Sequence, residues 1–374
     1  MIARKNKLAA VAALGLTSVL ALSACGGGAG TTSGGTGSDN GGSASGTTVS
    51  GQLAGAGASS AESAQGAWTQ NFTALNPEAQ VTYDAVGSGA GREQFLNGGV
   101  KFAGTDSALK DEEIAQSATA CQGGSAFDVP IYISPIAVVY KLDGVTDLQL
   151  SAPTIAGIFA GTITNWNDPA IAADNPSATL PDLAITPVHR QDSSGTTKNF
   201  TDYLSANAPD AWTYGAVEEW PIQGGQSGDK TSGLISVVEG GNGTIGYADA
   251  SKAGNLGIAK LKVGDEYVEY TPEAAAKAVE DSPRAEGRAE GDIVIELDRT
   301  LTDPTTYPLV LVSYLAVCDT YADADTANLV KAYASYIVSP EGQKAAAQAA
   351  GNAALTDTLS AEATASIEKI KAAG

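Results

Sequence analysis

Apolar positions along the chain recur with two periods, one typical of helices and one typical of strands. In the stretch SAESAQGAWTQNFTALNP they recur at steps of four, four and three, which predicts a helix with one buried face, ended by an Asn-Pro pair. These positions are Ala64, Trp68, Phe72 and Leu75. The next stretch, QVTYDAV, alternates between apolar and polar residues and predicts a strand.

Helical and strand-like patterns continue to alternate towards the C-terminus. Further helices are predicted at GAGREQFLNG, APTIAGIFAG, TKNFTDYLSANAP, GLISVVEGG and, with a break at Ser339-Pro340, TANLVKAYASYIVSPEGQKAAAQAAG. Further strands are predicted at VKFAGTD, VPIYISPIAVVYKL, AITPVHR, GTIGYAD and YPLVLVSYLAVC. The long apolar run VPIYISPIAVVYKL is typical of strands that are buried on both faces. This alternation predicts an α/β fold with mainly parallel sheets.

The first residues, MIARKNKLAAVAALGLTSVLALSAC, carry a basic start followed by an apolar run from Leu8 to Leu22. This pattern predicts a secretory signal peptide over residues 1–24. The ending LSAC resembles the lipobox of bacterial lipoproteins, which implies cleavage before Cys25 and acylation of its thiol. The alternative is an ordinary signal peptide with an incidental cysteine.

Residues 25–48 contain no apolar side chain larger than Ala after Cys25, so we expect a flexible Gly/Ser/Thr-rich tether. Folding is predicted to begin near Val49, and the remaining chain is long enough for two domains with cores of their own. A lipidated Cys25 would anchor the protein to the outer face of the cytoplasmic membrane. The lipid is the only membrane contact that we expect.

The whole chain carries a net charge of −21. Removal of the signal peptide takes away three basic residues and leaves 18 basic against 42 acidic residues, a net charge of −24. This charge argues against a nucleic-acid partner. It also gives no long-range attraction for anions, so any anion must be bound by local donors.

With Cys25 used by the anchor, Cys121 and Cys318 are left as a pair in an exported protein. Disulfides persist in that environment, and we predict that the two cysteines are bonded. Two free buried thiols are the alternative.

Four segments place Gly and small polar residues just after a predicted strand and just before a predicted helix: GAGASS, VGSGAG, FAGTDS and RQDSSGTT. They contain Ser59 and Ser60, Ser88, Asp106, and Ser194, Gly195 and Thr196. Helix N-termini carry unpaired N–H groups and partial positive charge, which suits phosphate-like anions. Arg190 adds a planar, two-pronged donor beside the fourth segment. Taken singly, each Ser or Thr is also explained as a simple helix cap.

These four segments, together with GTIGYAD, ITNWNDPAI and SPEGQKAA, resemble the phosphate-binding lipoproteins of bacterial high-affinity phosphate (Pst) ABC transporters. The resemblance covers nearly all of the chain from Val49 onward, and RxDxSGT is its most specific motif. It implies a two-domain periplasmic-binding-protein (type II) fold with mixed, mainly parallel sheets, a ligand cleft between the domains and two hinge crossovers. The crossovers would lie near Tyr132–Pro135 and Thr305–Val310. Domain I would comprise residues 49–133 and 309–374, and domain II residues 134–308.

The resemblance also implies a ligand set and partners. The phosphate ligands would be Ser59, Ser60, Ser88, Asp106, Arg190, Ser194, Gly195 and Thr196, with Asp192 orienting the arginine. Asp106 would accept a phosphate proton, which fully ionised sulfate lacks. The partners would be inorganic phosphate and the membrane permease subunits of the transporter. No cofactor, metal or catalytic residue is implied, and the protein would be a monomer.

The chain departs from the family at one loop, because many members have Thr-Phe where this chain has Ser59-Ser60. If residue 60 donates only through its backbone N–H, its side chain matters little, although loss of the aromatic ring would change the hydration of the cleft. Three other functions stay open. The chain could be a binding protein for sulfate, molybdate or a phosphonate, a surface adhesin or structural lipoprotein, or a secreted hydrolase that uses His189 with Ser193 or Ser194.

Overall fold

The computed structural model describes residues 49–374, so the predicted signal peptide, Cys25 and the tether lie outside the described residues. The strands are β1 Gly51–Gly57, β2 Ala79–Asp84, β3 Phe102–Thr105, β4 Ala126–Lys141, β5 Gln149–Leu150, β6 Thr186–Arg190, β7 Gln226–Gly228, β8 Thr244–Asp249, β9 Gly257–Ile258, β10 Lys260–Val263, β11 Glu266–Val268, β12 Val310–Cys318, β13 Thr320–Tyr321 and β14 Lys371–Ala372. The helices are α1 Glu62–Leu75, α2 Ser88–Leu96, α3 Asp111–Gln116, α4 Ala152–Phe159, α5 Pro169–Asp174, α6 Gly195–Asn207, α7 Lys230–Glu239, α8 Pro272–Glu280, α9 Ala324–Val338, α10 Pro340–Ala350 and α11 Asp357–Ile367. The α/β class predicted from the alternating periods is confirmed.

Helix α1 follows the apolar period that predicted it, except at its last turn. Ala64, Trp68 and Phe72 are buried, and the Trp68 indole N–H donates to the carbonyl of Gly342 in α10 at 2.7 Å. Leu75, predicted on the same face, is instead 66% exposed. It is the final residue of the helix, where the chain already turns away from the core.

The main sheet has the strand order β2-β1-β3-β12-β4-β8-β6-β7, with β9 added beside β4. The strands on each side of its centre pair in parallel, β1 with β2 and β3, and β6 with β7 and β8. The central strands β4 and β12 pair antiparallel with their neighbours. Parallel strands need helical connections, which explains why helices cover this mixed sheet.

The long apolar run forms one strand, β4, that is buried from Ala126 to Tyr140. Its first part, to Pro135, pairs with β12, and its second part, from Ile136, pairs with β8. The backbone N–H of Ile136 donates to the carbonyl of Leu309, just before β12, at 2.9 Å. The first predicted crossover therefore lies inside β4, and the second lies in the segment that leads into β12 and meets β4 only at its end. The division into two domains at these points stays a prediction.

Cys121 and Cys318 form the predicted disulfide. Cys121 follows α3, and Cys318 is the last residue of β12, so the bond ties the connection before β4 to the far end of the neighbouring strand. Both residues are buried. Over residues 49–374, none of the helices has the length and apolar character that crossing a membrane requires.

Candidate functional site

The loop after β1 brings two serine hydroxyls to the carboxyl edge of the sheet. Gly57 has a φ of +150°, and a Cβ there would lie 1.9 Å from the carbonyl oxygen of Gly104, so only glycine lets the loop pass β3 this closely. Neither serine caps α1 as predicted, because the N-cap is Ala61 and has no side-chain hydrogen bond. The hydroxyls of Ser59 and Ser60 are free to contact other loops instead.

The side chain of Ser59 faces β6 and α7. Its Oγ accepts the Thr231 backbone N–H at 3.1 Å and an Nη2 proton of Arg190 at 3.2 Å, and lies 2.9 Å from Thr231 Oγ1. Ser60 contacts a different residue. Its Oγ lies 2.8 Å from each carboxylate oxygen of Asp106, so its proton is shared between them.

Asp106 follows β3 and is 4% exposed. Two further hydroxyls donate hydrogen bonds to its carboxylate. Ser313 donates to Oδ1 at 2.5 Å, and Thr196 donates to Oδ2 at 3.0 Å. The backbone N–H of Asp106 donates to Ser88 Oγ at 3.2 Å. Burial raises the pKa of the Asp106 carboxyl above its ordinary value, and the hydroxyl donors and the charge of Arg190 oppose that rise. Asp106 does not cap α3, whose N-cap is Lys110.

Arg190, the last residue of β6, is 2% exposed. Its Nε donates to Asp192 Oδ1 at 2.7 Å and its Nη2 to Asp192 Oδ2 at 2.5 Å. Burial acts to raise the pKa of Asp192, but the hydrogen bonds and charge of Arg190 hold it below its ordinary value. The remaining donor of the guanidinium, Nη1, points to Thr231 Oγ1 at 3.3 Å. Asp192 thus fixes one edge of the guanidinium and leaves the other facing the hydroxyls.

The start of helix α6 lies against the same residues. Ser194 is its N-cap and accepts the Thr197 N–H at 3.2 Å, as the cap interpretation predicted. A Cβ on Gly195 would lie 2.7 Å from Asp106 Cβ and 2.8 Å from Ser88 Oγ. The first turn of α6 therefore touches both the start of α2 and the loop after β3.

The predicted ligands converge on one place. Adjacent residues Ser59 and Ser60 contact Arg190 and Asp106 respectively, which puts the guanidinium and the carboxylate within common reach. All eight predicted ligands are buried in the structure: Ser59, Ser60, Ser88, Asp106, Arg190, Ser194, Gly195 and Thr196. The arrangement combines a cation, hydroxyl groups, helix N-termini and one proton acceptor. This set suits a small tetrahedral anion that carries a proton.

Comparison with known proteins gives the family. Residues 42–341 match the PBP superfamily domain. The chain is 34% identical over 332 residues to the phosphate-binding protein PstS 2 of Mycobacterium tuberculosis, covering 86% of this chain and 88% of that protein. It is 32% identical over 339 residues to PstS 3 of the same species, covering 88% and 90%. This chain belongs to the PstS phosphate-binding protein family.

Solved structures agree on the fold of this PstS-family chain. It superposes on a high-affinity periplasmic phosphate-binding protein, PfluDING, bound with phosphate, with a TM-score of 0.69 and 21% identity over 84% of this chain and 93% of the other. An ancestral soluble variant of the human phosphate binding protein gives a TM-score of 0.68 at 20% identity over 84% and 93%. The two-domain periplasmic-binding-protein fold implied by the sequence motifs is confirmed.

Two residues of the site in this PstS-family chain were missed from the sequence. Thr231 lies at the start of α7, after β7, in the stretch SGDKTSG, which has the same strand, small residues and helix design as the four predicted segments. Lys230 beside it has a φ of +61°, and its N–H donates to Asp192 Oδ1 at 2.9 Å. Ser313 lies inside strand β12, and its only sequence signal is a hydroxyl within an otherwise apolar buried run.

At the loop where the family resemblance implied Thr-Phe in many members, Ser60 of this chain contacts the site through its side chain. The expectation that the side chain of residue 60 matters little does not hold here, since its hydroxyl contacts both oxygens of Asp106. A phenylalanine at this position has no hydroxyl to donate. The carboxylate of this chain therefore has one more hydrogen-bond donor than a Thr-Phe loop would give it.

The residues of the hydrolase alternative have other partners. His189 Nδ1 contacts the carbonyl of Arg190 at 2.9 Å, Nε2 contacts that of Gly224 at 3.3 Å, and the ring stacks on Trp220 with centroids 5.0 Å apart. Ser193 Oγ donates to Glu218 Oε2 at 3.3 Å. Within residues 49–374, His189 contacts neither Ser193 nor Ser194 through its ring nitrogens. A general base paired with a serine nucleophile needs that contact.

The predicted ligands lie apart from the larger surface hollows. A cavity of about 490 Å³ is lined by residues 144–147, 149 and 175–179 and by none of the predicted ligands. A smaller one of about 270 Å³ reaches Asp106 from the side of Asn199 and Arg299. Asn199 Nδ2 donates to the carbonyls of Asp106 and Gly195 at 2.8 and 2.9 Å, so this side supports the backbone of the site.

Proposed function

We propose that the chain binds inorganic phosphate between Asp106 and Arg190 and delivers it to the membrane permease subunits of a Pst ABC transporter. The observation that carries the proposal is that a buried carboxylate and a buried guanidinium contact the hydroxyls of two adjacent residues, Ser60 and Ser59. The named relatives and the phosphate-bound neighbour support the same ligand. We expect binding and release of the anion without chemical turnover, because the His189 ring nitrogens contact backbone carbonyls and Ser193 donates to Glu218.

Recognition rests on the proton that phosphate carries. Both forms present near neutral pH, H2PO4⁻ and HPO4²⁻, have an O–H to donate and oxygens to accept. Arg190, the hydroxyls and the N–H groups at the starts of α2 and α6 supply donors to those oxygens, and Asp106 accepts the proton. Sulfate has no proton, so its lone pairs would face those of the carboxylate and leave buried groups unpaired. Sites that require a hydrogen bond reject analogues that lack it by about 10⁴-fold or more.

Delivery adds a conformational step and a location. The two predicted domains would close over the anion by bending at β4 and β12, and the loaded closed form would be the one that the permease recognises. We place the protein, as a monomer, outside the cytoplasmic membrane, held there by lipidated Cys25. The anchor lies outside the described residues and stays a prediction.

Titration calorimetry of phosphate against sulfate tests the proposal. We expect phosphate to bind to the unaltered chain and sulfate to bind far more weakly. Asp106→Asn removes the proton acceptor, so phosphate should bind more weakly and the preference over sulfate should fall by at least about tenfold. Asp111→Asn is the matched control, since that side chain is 98% exposed and removes the same charge outside the site. An unchanged preference in Asp106→Asn would refute the role of Asp106.

A further inference from the structure

Ser313 contacts Asp106 from a part of the fold that supplies no predicted ligand. It lies in β12, is 1% exposed, and is flanked by apolar residues of a fully buried strand. Its hydroxyl donates to Asp106 Oδ1 at 2.5 Å. The pairing of β12 with β4 shifts register between Ser313 and Tyr314. A hydroxyl inside such a strand has a cost of burial that only a hydrogen bond offsets, so its aim at Asp106 is informative.

The three hydroxyls around Asp106 are not equivalent. Ser60 lies in the loop before α1 and Thr196 in the first turn of α6, and both belong to the predicted phosphate ligands. Ser60 contacts both carboxylate oxygens. Thr196 donates to Oδ2. Ser313 donates to Oδ1 from a strand. Ser313 is therefore the donor that can keep its hydrogen bond to the carboxylate when the hydroxyls of Ser60 and Thr196 turn towards a ligand.

We propose that Ser313 is a positioning residue for phosphate selectivity, which holds Asp106 Oδ1 so that Oδ2 is left to accept the phosphate proton. This inference rests on the proposed function. The same hydrogen bond favours the ionised carboxylate, because a hydroxyl donates more strongly to a charged oxygen than to a neutral acid. A protonated Asp106 would instead present an O–H group. That group cannot accept a hydrogen bond from the phosphate O–H at the same oxygen, but it can donate one to a sulfate oxygen.

The other groups that face Asp106 bear on this balance. Arg190, from β6, favours the ionised form by its charge. Tyr83, from β2, is neutral, and its hydroxyl donates to the carbonyl of Ala58 at 3.0 Å. Burial raises the pKa of Asp106, and the hydrogen bond from Ser313 acts to lower it. Loss of that bond must make Asp106 easier to protonate.

The test measures phosphate and sulfate affinity from pH 5 to pH 8 in the unaltered chain and in Ser313→Ala. We expect the loss of phosphate affinity on the acid side to begin at a higher pH in the variant than in the unaltered chain, because Asp106 has lost a hydrogen bond that favours its ionised form. As the pH is lowered, sulfate binding should begin at a higher pH in Ser313→Ala than in the unaltered chain. Ser366→Ala is the control, because Ser366 is a buried serine of α11 that lies outside both predicted crossovers, and its Oγ donates to the carbonyl of Glu362 at 3.1 Å. It should leave both profiles unchanged.

A second pair of variants, with Thr or Val at position 313, compares two side chains of nearly the same shape, of which only Thr carries a hydroxyl. Ser313→Thr should keep the pH profile and the selectivity of the unaltered chain, whereas Ser313→Val should show the changes expected of Ser313→Ala. Equal profiles in the Thr and Val variants, or an unchanged profile in Ser313→Ala, would overturn the role of Ser313. Absence of phosphate binding in the unaltered chain would refute the proposed function itself, which distinguishes the two failures.

Discussion

Gly195 illustrates how single positions determine this site. It begins α6, and a Cβ added there would lie 2.7 Å from Asp106 Cβ and 2.8 Å from Ser88 Oγ. Real Cβ atoms do not approach other heavy atoms this closely, so any side chain at 195 must push α6 away from two of the predicted ligands. Glycine is needed here for space.

Gly195→Ala should therefore weaken phosphate binding by at least about tenfold, because misplacement of one or two hydrogen bonds costs about 1–3 kcal/mol. Gly66→Ala is the control, since Gly66 lies in the exposed middle of α1 with nothing within 4 Å of its added Cβ. That variant should bind phosphate normally and be stabilised by about 0.5–1 kcal/mol. Calorimetry and thermal unfolding measure both, and equal phosphate affinity in the two variants would contradict the packing argument.

At this scale the sequence predicted which residues meet but not how each hydroxyl is used. Small polar residues at helix starts were enough to select Ser88, Ser194 and Thr196. Whether a serine caps its own helix or reaches across the molecule depends on neighbours that are distant in sequence. Ser60, predicted as a cap, bonds to Asp106 for this reason. The hydroxyl of Ser313 within an apolar buried run was the only signal for that residue, and it did not indicate which residue the hydroxyl contacts.

Strands β4 and β12 are the elements that hold the two sides of the sheet together. They pair from Ala126 with Cys318 to Pro135 with Val310, and β4 then continues along β8. The apolar character of both strands predicted their burial correctly, because a strand in the middle of a covered sheet has no solvent-facing side. Their antiparallel pairing depends on the path of the chain between them. The apolar pattern within either strand does not predict it.

The Cys121–Cys318 disulfide closes a sequence separation of 197 residues around these elements. Cys121→Ala with Cys318→Ala should lower the free energy of unfolding by about 2–5 kcal/mol, because the unfolded chain gains freedom. Phosphate affinity should be nearly unchanged, since neither cysteine contacts the predicted ligands in the described part of the chain. Thermal and denaturant unfolding of the two proteins, without reductant, measure the effect. Equal stability of both proteins would contradict a stabilising role.

Short elements were the least predictable. Strands β5, β10 and β11 form a separate three-stranded sheet, and none was predicted. They have two to four residues each, which is too few to establish a period of two. Their pairing is set by tertiary contact, such as the parallel match of Leu261 with Leu150.

For the whole molecule, Arg92 links the two predicted domains beside the site. It is 2% exposed, and its guanidinium contacts Glu113 at 2.9 Å in predicted domain I and Glu218 at 2.7 Å in predicted domain II. Burial acts to raise the pKa of Glu218, but the charge and hydrogen bond of Arg92 hold it below its ordinary value. The carbonyl of Glu218 also accepts the N–H of Ser194, so this ion pair connects α2 to the loop that begins α6.

Weakening the two ion pairs of Arg92, one with Glu218 and one with Glu113, should have different consequences. Glu218→Gln weakens a contact that closure must form, so phosphate affinity should fall by about tenfold and phosphate should dissociate faster. Glu113→Gln weakens a contact to the same arginine within one predicted domain, so it should lower thermal stability and leave phosphate affinity nearly unchanged. Calorimetry and stopped-flow release measure the difference. Equal affinity losses in both variants would contradict closure between these domains.

A crystal structure of the complex with phosphate tests the central claim most directly, because it shows whether one anion meets both key side chains. The account predicts a single phosphate whose oxygens lie within about 2.5–3.2 Å of the Arg190 guanidinium and of Asp106 Oδ2. A phosphate bound elsewhere, or bound by Arg190 with Asp106 out of hydrogen-bond reach, would contradict it.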